Sequence, residues 1–235
     1  MNDRVIAHRG ASGYAPENTL IAFAEAAELG ARWVEFDAKL TRDGIPIIFH
    51  DDTLKRTTDG KGPVALCDLE DLKRLDAGAW FGGMFRGEAI PTLGEALSLL
   101  GGYGLCANVE VKPCPGREAE TGRVVASALE NHGLGGLLLS SFSVPALKAA
   151  RDETPGLARA LNVDAVPEDW RDRLTDLNCG ALHCNYKKLN RAQAGIIQES
   201  GFDLRCYTVN DPGRAEKLFG WGVRSVFTDY PDRLL

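Results

Sequence analysis

The chain has 235 residues, 44% of them hydrophobic, with a formal net charge of −6 at neutral pH and an isoelectric point near 5.3. Such an acidic chain has no basic surface large enough to hold a nucleic-acid backbone, so nucleic acid is not an expected partner. The first ten residues lack a basic segment followed by an apolar run, and no uncharged stretch approaches the roughly 20 residues of a membrane span, so we expect a cytoplasmic protein without membrane insertion.

Short β-rich runs alternate with longer amphipathic runs along the chain. The first predicted elements are a strand at residues 4–8, a helix at 19–29 and a strand at 33–40. Later strands are predicted at 105–111, 136–141, 157–162, 181–185, 204–209 and 225–228, separated by helical patterns such as 118–132 and 191–199. About eight strand–helix units favour an α/β fold of the TIM (β/α)8 barrel type. The alternative is an open, doubly wound sheet.

The alternation is interrupted after the second predicted strand. Residues 51–91 contain a short helical pattern at 68–75, and Trp80, Phe81 and Phe85 lie there among glycines. A long excursion at this position is typical of an active-site rim, so we predict that this insertion caps the pocket and shapes substrate choice. Since no linker or repeat is visible and the length is near the roughly 250 residues of one barrel, we expect a single domain over residues 1–235.

Two carboxylates share one face of the second predicted strand. Glu35 and Asp37 are two residues apart, so their side chains point the same way. Like charges that are buried together need a cation, and Mg²⁺ or Ca²⁺ prefers a cluster of oxygen ligands. Glu110 and Lys112 repeat the spacing at the end of the 105–111 run, which adds a third carboxylate and a cation. Ordinary ion pairs with lysine or arginine explain Glu35 and Asp37 about as well. For Glu110 and Lys112 alone, a surface ion pair is the better explanation.

Two histidines stand where predicted strands end. His8 and Arg9 end the first strand, and His50 ends the apolar run at 45–49. In a parallel barrel, the carboxyl ends of the strands hold the catalytic groups. A lone histidine there is more often structural, but two histidines beside three carboxylates and two cations favour general acid–base chemistry near neutral pH.

Two aromatic residues and a further histidine belong to later strands. Phe142 follows the strand at 136–141, and Tyr207 lies within the strand at 204–209. Either ring can line a pocket or pack in the core. His183 can face the mouth of the barrel or a surrounding helix, depending on how its strand alternates.

Several segments together resemble the glycerophosphodiester phosphodiesterase family. They are HRGASGYAPENTLIAF, VEFDAKLTRDGIPIIFHDDTLKRTTDGKG, IPTLGEAL, NVEVK, YTVND and FTDYPDRLL, and the resemblance runs from Ile6 to Leu235. The HRG and HD elements are specific only in combination with the E-x-D element between them. The sequence departs from the pattern at Tyr207, where many relatives have tryptophan, a difference that bears on the specificity of the pocket.

The resemblance implies a TIM barrel with an insertion after the second strand. It also implies metal-dependent hydrolysis of a small-molecule glycerophosphodiester to sn-glycerol 3-phosphate and a free alcohol. The implied site consists of an acid–base pair, His8 and His50; three ligands of Mg²⁺ or Ca²⁺, Glu35, Asp37 and Glu110; two phosphate-facing cations, Arg9 and Lys112; and an apolar wall around glycerol, Phe142 and Tyr207. The oligomeric state is not predicted.

Two other functions remain open on the sequence alone. One is a lipid-directed phosphodiesterase that resembles phospholipase C or D, for which Trp80, Phe81, Met84 and Phe85 could provide an apolar rim, although the acidic charge favours soluble diesters. The other is a non-catalytic barrel that binds a metal or phosphate, since a fold does not by itself confer chemistry. The presence of both predicted histidines beside the carboxylates argues against the second.

Overall fold

A computed structural model describes residues 4–235, which form a nine-stranded sheet surrounded by helices. The strands are β1 (Val5–His8), β2 (Trp33–Leu40), β3 (Pro46–Ile48), β4 (Cys106–Val111), β5 (Leu137–Ser141), β6 (Arg159–Val163), β7 (Ala181–Asn185), β8 (Asp203–Tyr207) and β9 (Ser225–Thr228). The helices are α1 (Leu20–Glu28), α2 (Leu69–Leu72), α3 (Leu93–Tyr103), α4 (Glu118–His132), α5 (Val144–Glu153), α6 (Trp170–Asp176), α7 (Arg191–Glu199) and α8 (Pro212–Phe219).

The parallel strands close into a barrel. Their order is β1, β9, β8, β7, β6, β5, β4 and β2, and β2 pairs in turn with β1. This closure confirms the predicted TIM barrel and rules out the open sheet, which would leave two edges. The strand β3 lies outside the barrel and pairs antiparallel with β2, where Ala38 faces Ile48. It is formed by the apolar run that precedes His50.

The alternation of β2 separates an apolar face from a charged one. Val34, Phe36 and Ala38 are fully buried and belong to the core between the strands and the helices. The Phe36 ring packs against Phe23 of α1, with ring centroids 5.2 Å apart. Burying a side chain of this size stabilises the fold by about 1.5–3 kcal/mol. The intervening carboxylates therefore face the barrel interior.

Five of these eight helices, α1, α3, α5, α7 and α8, begin at a residue whose polar side chain accepts a free backbone N–H. Thr19 precedes α1 and accepts from Ala22 N at 3.3 Å, and Thr92 and Glu95 form a reciprocal capping box at the start of α3. Gly122 allows α4 to approach α5 closely, because a Cβ at this position would lie 2.2 Å from the carbonyl oxygen of Ala146.

The insertion between β3 and α3 has an apolar cluster of its own. Its buried members are Ile47, Phe49, Leu54, Val64, Leu72, Ala77 and Ile90. The helix predicted at residues 68–75 is shorter in the structure and covers only α2. The rings of Trp80, Phe81 and Phe85 pack edge to face on one another, with centroids 5.5 Å apart in both pairs. Within residues 4–235, none of the helices is long and apolar enough to cross a lipid bilayer.

Candidate active site

The carboxyl ends of the barrel strands surround a cleft of about 190 Å³. Its lining residues are His8, Arg9, Glu35, His50, Asn108, Glu110, Lys112, Phe142, Asn162, His183, Tyr207, Thr208 and Phe227. Every site residue predicted from the sequence is in this set except Asp37. That residue is only 1% exposed and lies directly behind the lining, in contact with Arg9 and Lys112.

The three predicted carboxylates meet at one place. One oxygen from each of Glu35, Asp37 and Glu110 lies within 4.8 Å of the others. The strand register explains this arrangement, because Asp37 of β2 pairs with Glu110 of β4 and both side chains point into the barrel. Glu35 precedes Asp37 by two residues on the same face and is 3% exposed.

Burial and mutual repulsion shift the acidity of this carboxylate cluster. Burial, together with the charges of Asp37 and Glu110, raises the pKa of Glu35 to about 8. Burial also raises the pKa of Glu110. Burial acts in the same direction on Asp37, but the nearby charges of Arg9 and Lys112 outweigh it and hold its pKa at about 2. Without a metal, the cluster therefore retains a proton near neutral pH.

The chemistry of these donors fits a divalent cation. Three clustered carboxylate oxygens are ligands that Mg²⁺ and Ca²⁺ prefer, and these ions complete their coordination with water. The floor of the cleft offers partners for such water, since Asn108 Oδ1, Asn162 Oδ1 and His183 Nε2 are buried and have no hydrogen-bond partner among the described residues. His183 thus faces the barrel interior, and burial keeps its pKa well below the usual value.

His8 is anchored by a carboxylate from the other end of the chain. Its Nδ1 lies 2.7 Å from Asp229 Oδ1, and Asp229 also accepts hydrogen bonds from Ser12 Oγ at 3.0 Å and Asn210 Nδ2 at 2.7 Å. Burial lowers the pKa of His8, but the Asp229 hydrogen bond and the charge of Glu35 outweigh that effect, so its pKa is raised. The anchored Nδ1 leaves Nε2 available for proton transfer.

His50 is anchored in the same way by its neighbour in the chain. Its Nδ1 lies 2.6 Å from Asp51 Oδ1, and Asp51 accepts two further hydrogen bonds from Arg56, at 2.7 and 2.9 Å. Burial lowers the pKa of His50. Both imidazoles are therefore held at Nδ1, which leaves Nε2 available. Of the two carboxylates, only Asp51 also contacts an arginine within the part of the chain that the structure describes.

Two cations border the carboxylate cluster. Arg9 Nη1 donates to Glu17 at 2.8 Å, and its Nε lies 3.3 Å from Asp37. Lys112 Nζ donates to Glu110 at 2.9 Å and lies 3.7 Å from Asp37. Arg9 also has φ of 57°, an uncommon left-handed conformation for a residue other than glycine, and its backbone N–H donates to the cluster.

Phe142 and Tyr207 form one wall of the cleft. Their rings meet edge to face with centroids 5.9 Å apart, and the Tyr207 hydroxyl donates to the carbonyl of Val163 at 2.7 Å. Phe142 is 46% exposed, and Lys112 Nζ lies 5.8 Å from the centre of its ring. A half-exposed aromatic ring beside a cation can contact a bound ligand.

The residues through which the insertion contacts this site differ from the predicted ones. Trp80, Phe81 and Phe85 are not among the residues that line the cleft, so the prediction that they cap it is wrong for these side chains. The physical reason is that the three rings pack on one another. The insertion contributes Asp51 and Arg56 instead. Asp51 contacts His50, and Arg56 contacts Asp51.

The sequence interpretation missed the side chains that hold the catalytic candidates. These are Glu17, Asp51, Arg56 and Asp229. All of them lie in segments that carry the family resemblance, namely APENTL, HDDTLKR and FTDYPDRLL. Their place in these segments was the sequence signal that could have identified them.

Comparisons with known proteins agree on one family. The model of the glycerophosphoryl diester phosphodiesterase family matches residues 8–233. A glycerophosphodiester phosphodiesterase of Caldanaerobacter subterraneus is 35% identical over 100% of this chain and 97% of its own length, and one of Bacillus subtilis is 35% identical over 98% and 85%. Among solved structures, an Oleispira antarctica phosphodiesterase in complex with the product sn-glycerol-3-phosphate is 44% identical, with a TM-score of 0.96 over 98% of this chain and 94% of that one.

Proposed function

Because this chain belongs to the glycerophosphoryl diester phosphodiesterase family and is therefore an enzyme, we propose that it hydrolyses glycerophosphodiesters to sn-glycerol 3-phosphate and an alcohol. The observation that carries the proposal is the arrangement of the cleft. Two histidines, each with Nδ1 held by a carboxylate, stand beside a cluster of three carboxylates and two cations.

The phosphate group would bind between the cations and the carboxylate cluster. A diester phosphate has one negative charge, and more charge develops on its equatorial oxygens as phosphorus becomes five-coordinate. Arg9 and Lys112 would stabilise that charge. Glu35, Asp37 and Glu110 would hold Mg²⁺ or Ca²⁺, which supplies further positive charge when bound.

The two histidines would divide the proton transfers. One removes a proton from the attacking oxygen, of water or of the glycerol 2-hydroxyl, and the other delivers a proton to the departing alkoxide. The anchored Nδ1 of His8 and of His50 fixes each ring, so that Nε2 can serve in either role. Phe142 and Tyr207 would contact the carbon atoms of glycerol through their apolar faces.

The direct test is hydrolysis of glycerophosphocholine, followed by chelation and addition of Mg²⁺ or Ca²⁺. We expect sn-glycerol 3-phosphate and choline as products, loss of activity with the chelator, and recovery with the metal. Phosphocholine and glycerol as products would instead indicate cleavage of the other ester bond, as in a phospholipase C. Activity that survives complete removal of divalent ions would refute the role of the three carboxylates.

A second test assigns the histidines through the leaving group. His8→Ala and His50→Ala should each lower kcat on glycerophosphocholine by roughly 10²–10⁴-fold, the range for one lost proton-transfer group. A p-nitrophenyl diester releases an oxygen that hardly needs a proton, so loss of the acid should matter much less with that substrate. Equal damage to both substrates from both variants would mean that neither histidine is the general acid.

A further inference from the structure

Arg56 lies in the insertion, outside the lining of the cleft, and its guanidinium holds two carboxylates at once. Nη1 and Nη2 donate to Glu17 at 2.7 and 2.8 Å. Nε and Nη2 donate to Asp51 at 2.7 and 2.9 Å. Two-point contacts of this kind need the planar, forked guanidinium, which lysine cannot replace. Arg56 therefore fixes the two carboxylates relative to each other.

Each of these carboxylates also holds a side chain of the proposed site. Glu17 accepts from Arg9 Nη1 at 2.8 Å, and Asp51 Oδ1 lies 2.6 Å from His50 Nδ1. The contacts form one continuous chain, which runs through Arg9, Glu17, Arg56, Asp51 and His50. Its two ends come from the end of β1 and from the segment after β3, so Arg56 links a phosphate-facing cation to one of the two histidines.

We propose that Arg56 is a positioning residue that sets His50 relative to Arg9. The inference rests on the proposed function of the cleft. A displacement of about 1 Å in a reacting group can lower a rate by about 100-fold, so a brace behind the site can matter as much as a group within it. Without Arg56, Glu17 and Asp51 no longer share a cation, and each can turn away together with the side chain that it holds.

Among residues 4–235, no arginine contacts the carboxylate that holds His8. Its partner, Asp229, accepts its other hydrogen bonds from the neutral side chains of Ser12 and Asn210. Neither of these groups bears a charge or belongs to the insertion. The dependence on Arg56 is therefore confined to His50 and Arg9, which gives the insertion a specific role at one side of the site.

The exposure of Arg56 separates positioning from stability. Its side chain is 44% exposed, so water screens much of the energy of its ion pairs, although two-point contacts within a network contribute more than an isolated surface pair. Removal of Arg56 should therefore lower the melting temperature by only about 2–4 °C, with the fold retained, while it lowers the rate much more. A residue with only a structural role would lower both together.

The experiment compares Arg56→Ala and Arg56→Lys with the control Arg42→Ala. Arg42 is 58% exposed and makes a two-point contact with Asp68 of the insertion, but none of its contacts leads to the cleft. We expect kcat/KM for glycerophosphocholine to fall roughly 10- to 100-fold in both Arg56 variants and by less than about threefold in the control. Added guanidinium should restore part of the activity of Arg56→Ala but not that of Arg56→Lys, whose side chain still fills the position.

A result for Arg56→Ala within about threefold of the control would overturn the proposal. The crystal structure of this variant gives a readout that does not depend on activity, since Arg9 and His50 should move apart, and unchanged positions would also overturn it. If the wild type does not hydrolyse glycerophosphocholine, the proposed function fails, and the crystallographic comparison still decides the positioning role. If Arg56→Ala does not fold, Arg56→Lys supplies the same comparison, because it keeps the charge and the aliphatic stem.

Discussion

In the proposed metal site, replacing Glu35 with glutamine should lower the affinity for a divalent ion and make that affinity depend much less on pH. The reason lies in the carboxylate cluster without metal. Glu35 is 3% exposed, and burial together with the charges of Asp37 and Glu110 raises its pKa to about 8. A divalent ion must therefore displace a proton when it binds near neutral pH.

The size of the effect follows from that pKa. The rise from 4.5 to about 8 corresponds to roughly 5 kcal/mol of discrimination against the ionised carboxylate. Since Glu110 is also raised, this proton belongs to the pair, and the energy is shared between the two groups. At pH 7, about nine in ten molecules would hold the proton, and the apparent metal affinity should fall about tenfold for each pH unit below 8.

Isothermal titration calorimetry with Mg²⁺ or Ca²⁺ measures the proton directly. In buffers with different ionisation enthalpies, the wild type should release nearly one proton per metal at pH 7 and almost none at pH 9. Glu35→Gln should bind the metal more weakly and release far fewer protons per metal ion. Asp37→Asn is the matched control, because its pKa of about 2 means that it is already ionised. It should lose affinity and still release protons, although fewer than the wild type, because loss of the Asp37 charge lowers the pKa of Glu35. Metal binding at pH 7 without proton release would refute the reasoning.

The same proton predicts how stability depends on pH without metal. A carboxyl group whose pKa is raised by folding binds protons more tightly in the folded than in the unfolded chain. Between its unfolded value, near 4.5, and about 8, the free energy of unfolding should therefore decrease as the pH rises. Saturating metal should reduce this slope, and thermal melts across the window measure it.

Three further substitutions test separate parts of the structure. Asp229→Asn should lower kcat by roughly 10- to 100-fold, because this carboxylate orients His8. The Mg²⁺ affinity should not change, since Asp229 is not a proposed metal ligand. Kinetics measure the first effect and calorimetry the second. Gly122→Ala should destabilise the fold by about 1–3 kcal/mol, because the new Cβ clashes with α5. Gly195→Ala on α7 is the control and should not destabilise the fold, since its Cβ meets open space. Thermal melts compare the two variants. Trp80→Ala should leave the ranking of glycerophosphodiester substrates unchanged in competition assays, since its side chain does not line the cleft.

Hydrophobic periodicity was enough to predict the barrel. The strands predicted at residues 33–40, 181–185 and 225–228 have the bounds found in the structure, and the other barrel strands differ by at most two residues at either end. The antiparallel course of β3 was not predicted. An apolar run of this kind does not indicate whether the strand is parallel or antiparallel to its neighbour. Here the chain turns at Gly44, where φ is 83°, and β3 then pairs antiparallel with β2.

The candidate site was predicted only in part for a related reason. Same-face spacing within one strand is a local property, so Glu35 with Asp37 could be paired from the sequence. The partner of His8 could not, because Asp229 is 221 residues away and the two meet only when the barrel closes between β1 and β9. A contact of that kind depends on the whole topology and leaves no periodic signal.

The insertion shows why composition alone predicted the wrong role for it. Aromatic residues among glycines indicate a flexible loop with exposed apolar surface, and a loop at the rim of a barrel often covers the pocket. Here, however, the rings of Trp80, Phe81 and Phe85 pack on one another, and none of the three is among the residues that line the cleft. The charged residues of the insertion are the ones with distant partners, since Arg56 reaches Glu17 across 39 positions of the chain. When an insertion has its own apolar cluster, the side chains that contact residues outside the insertion are therefore the better indication of its role at the site.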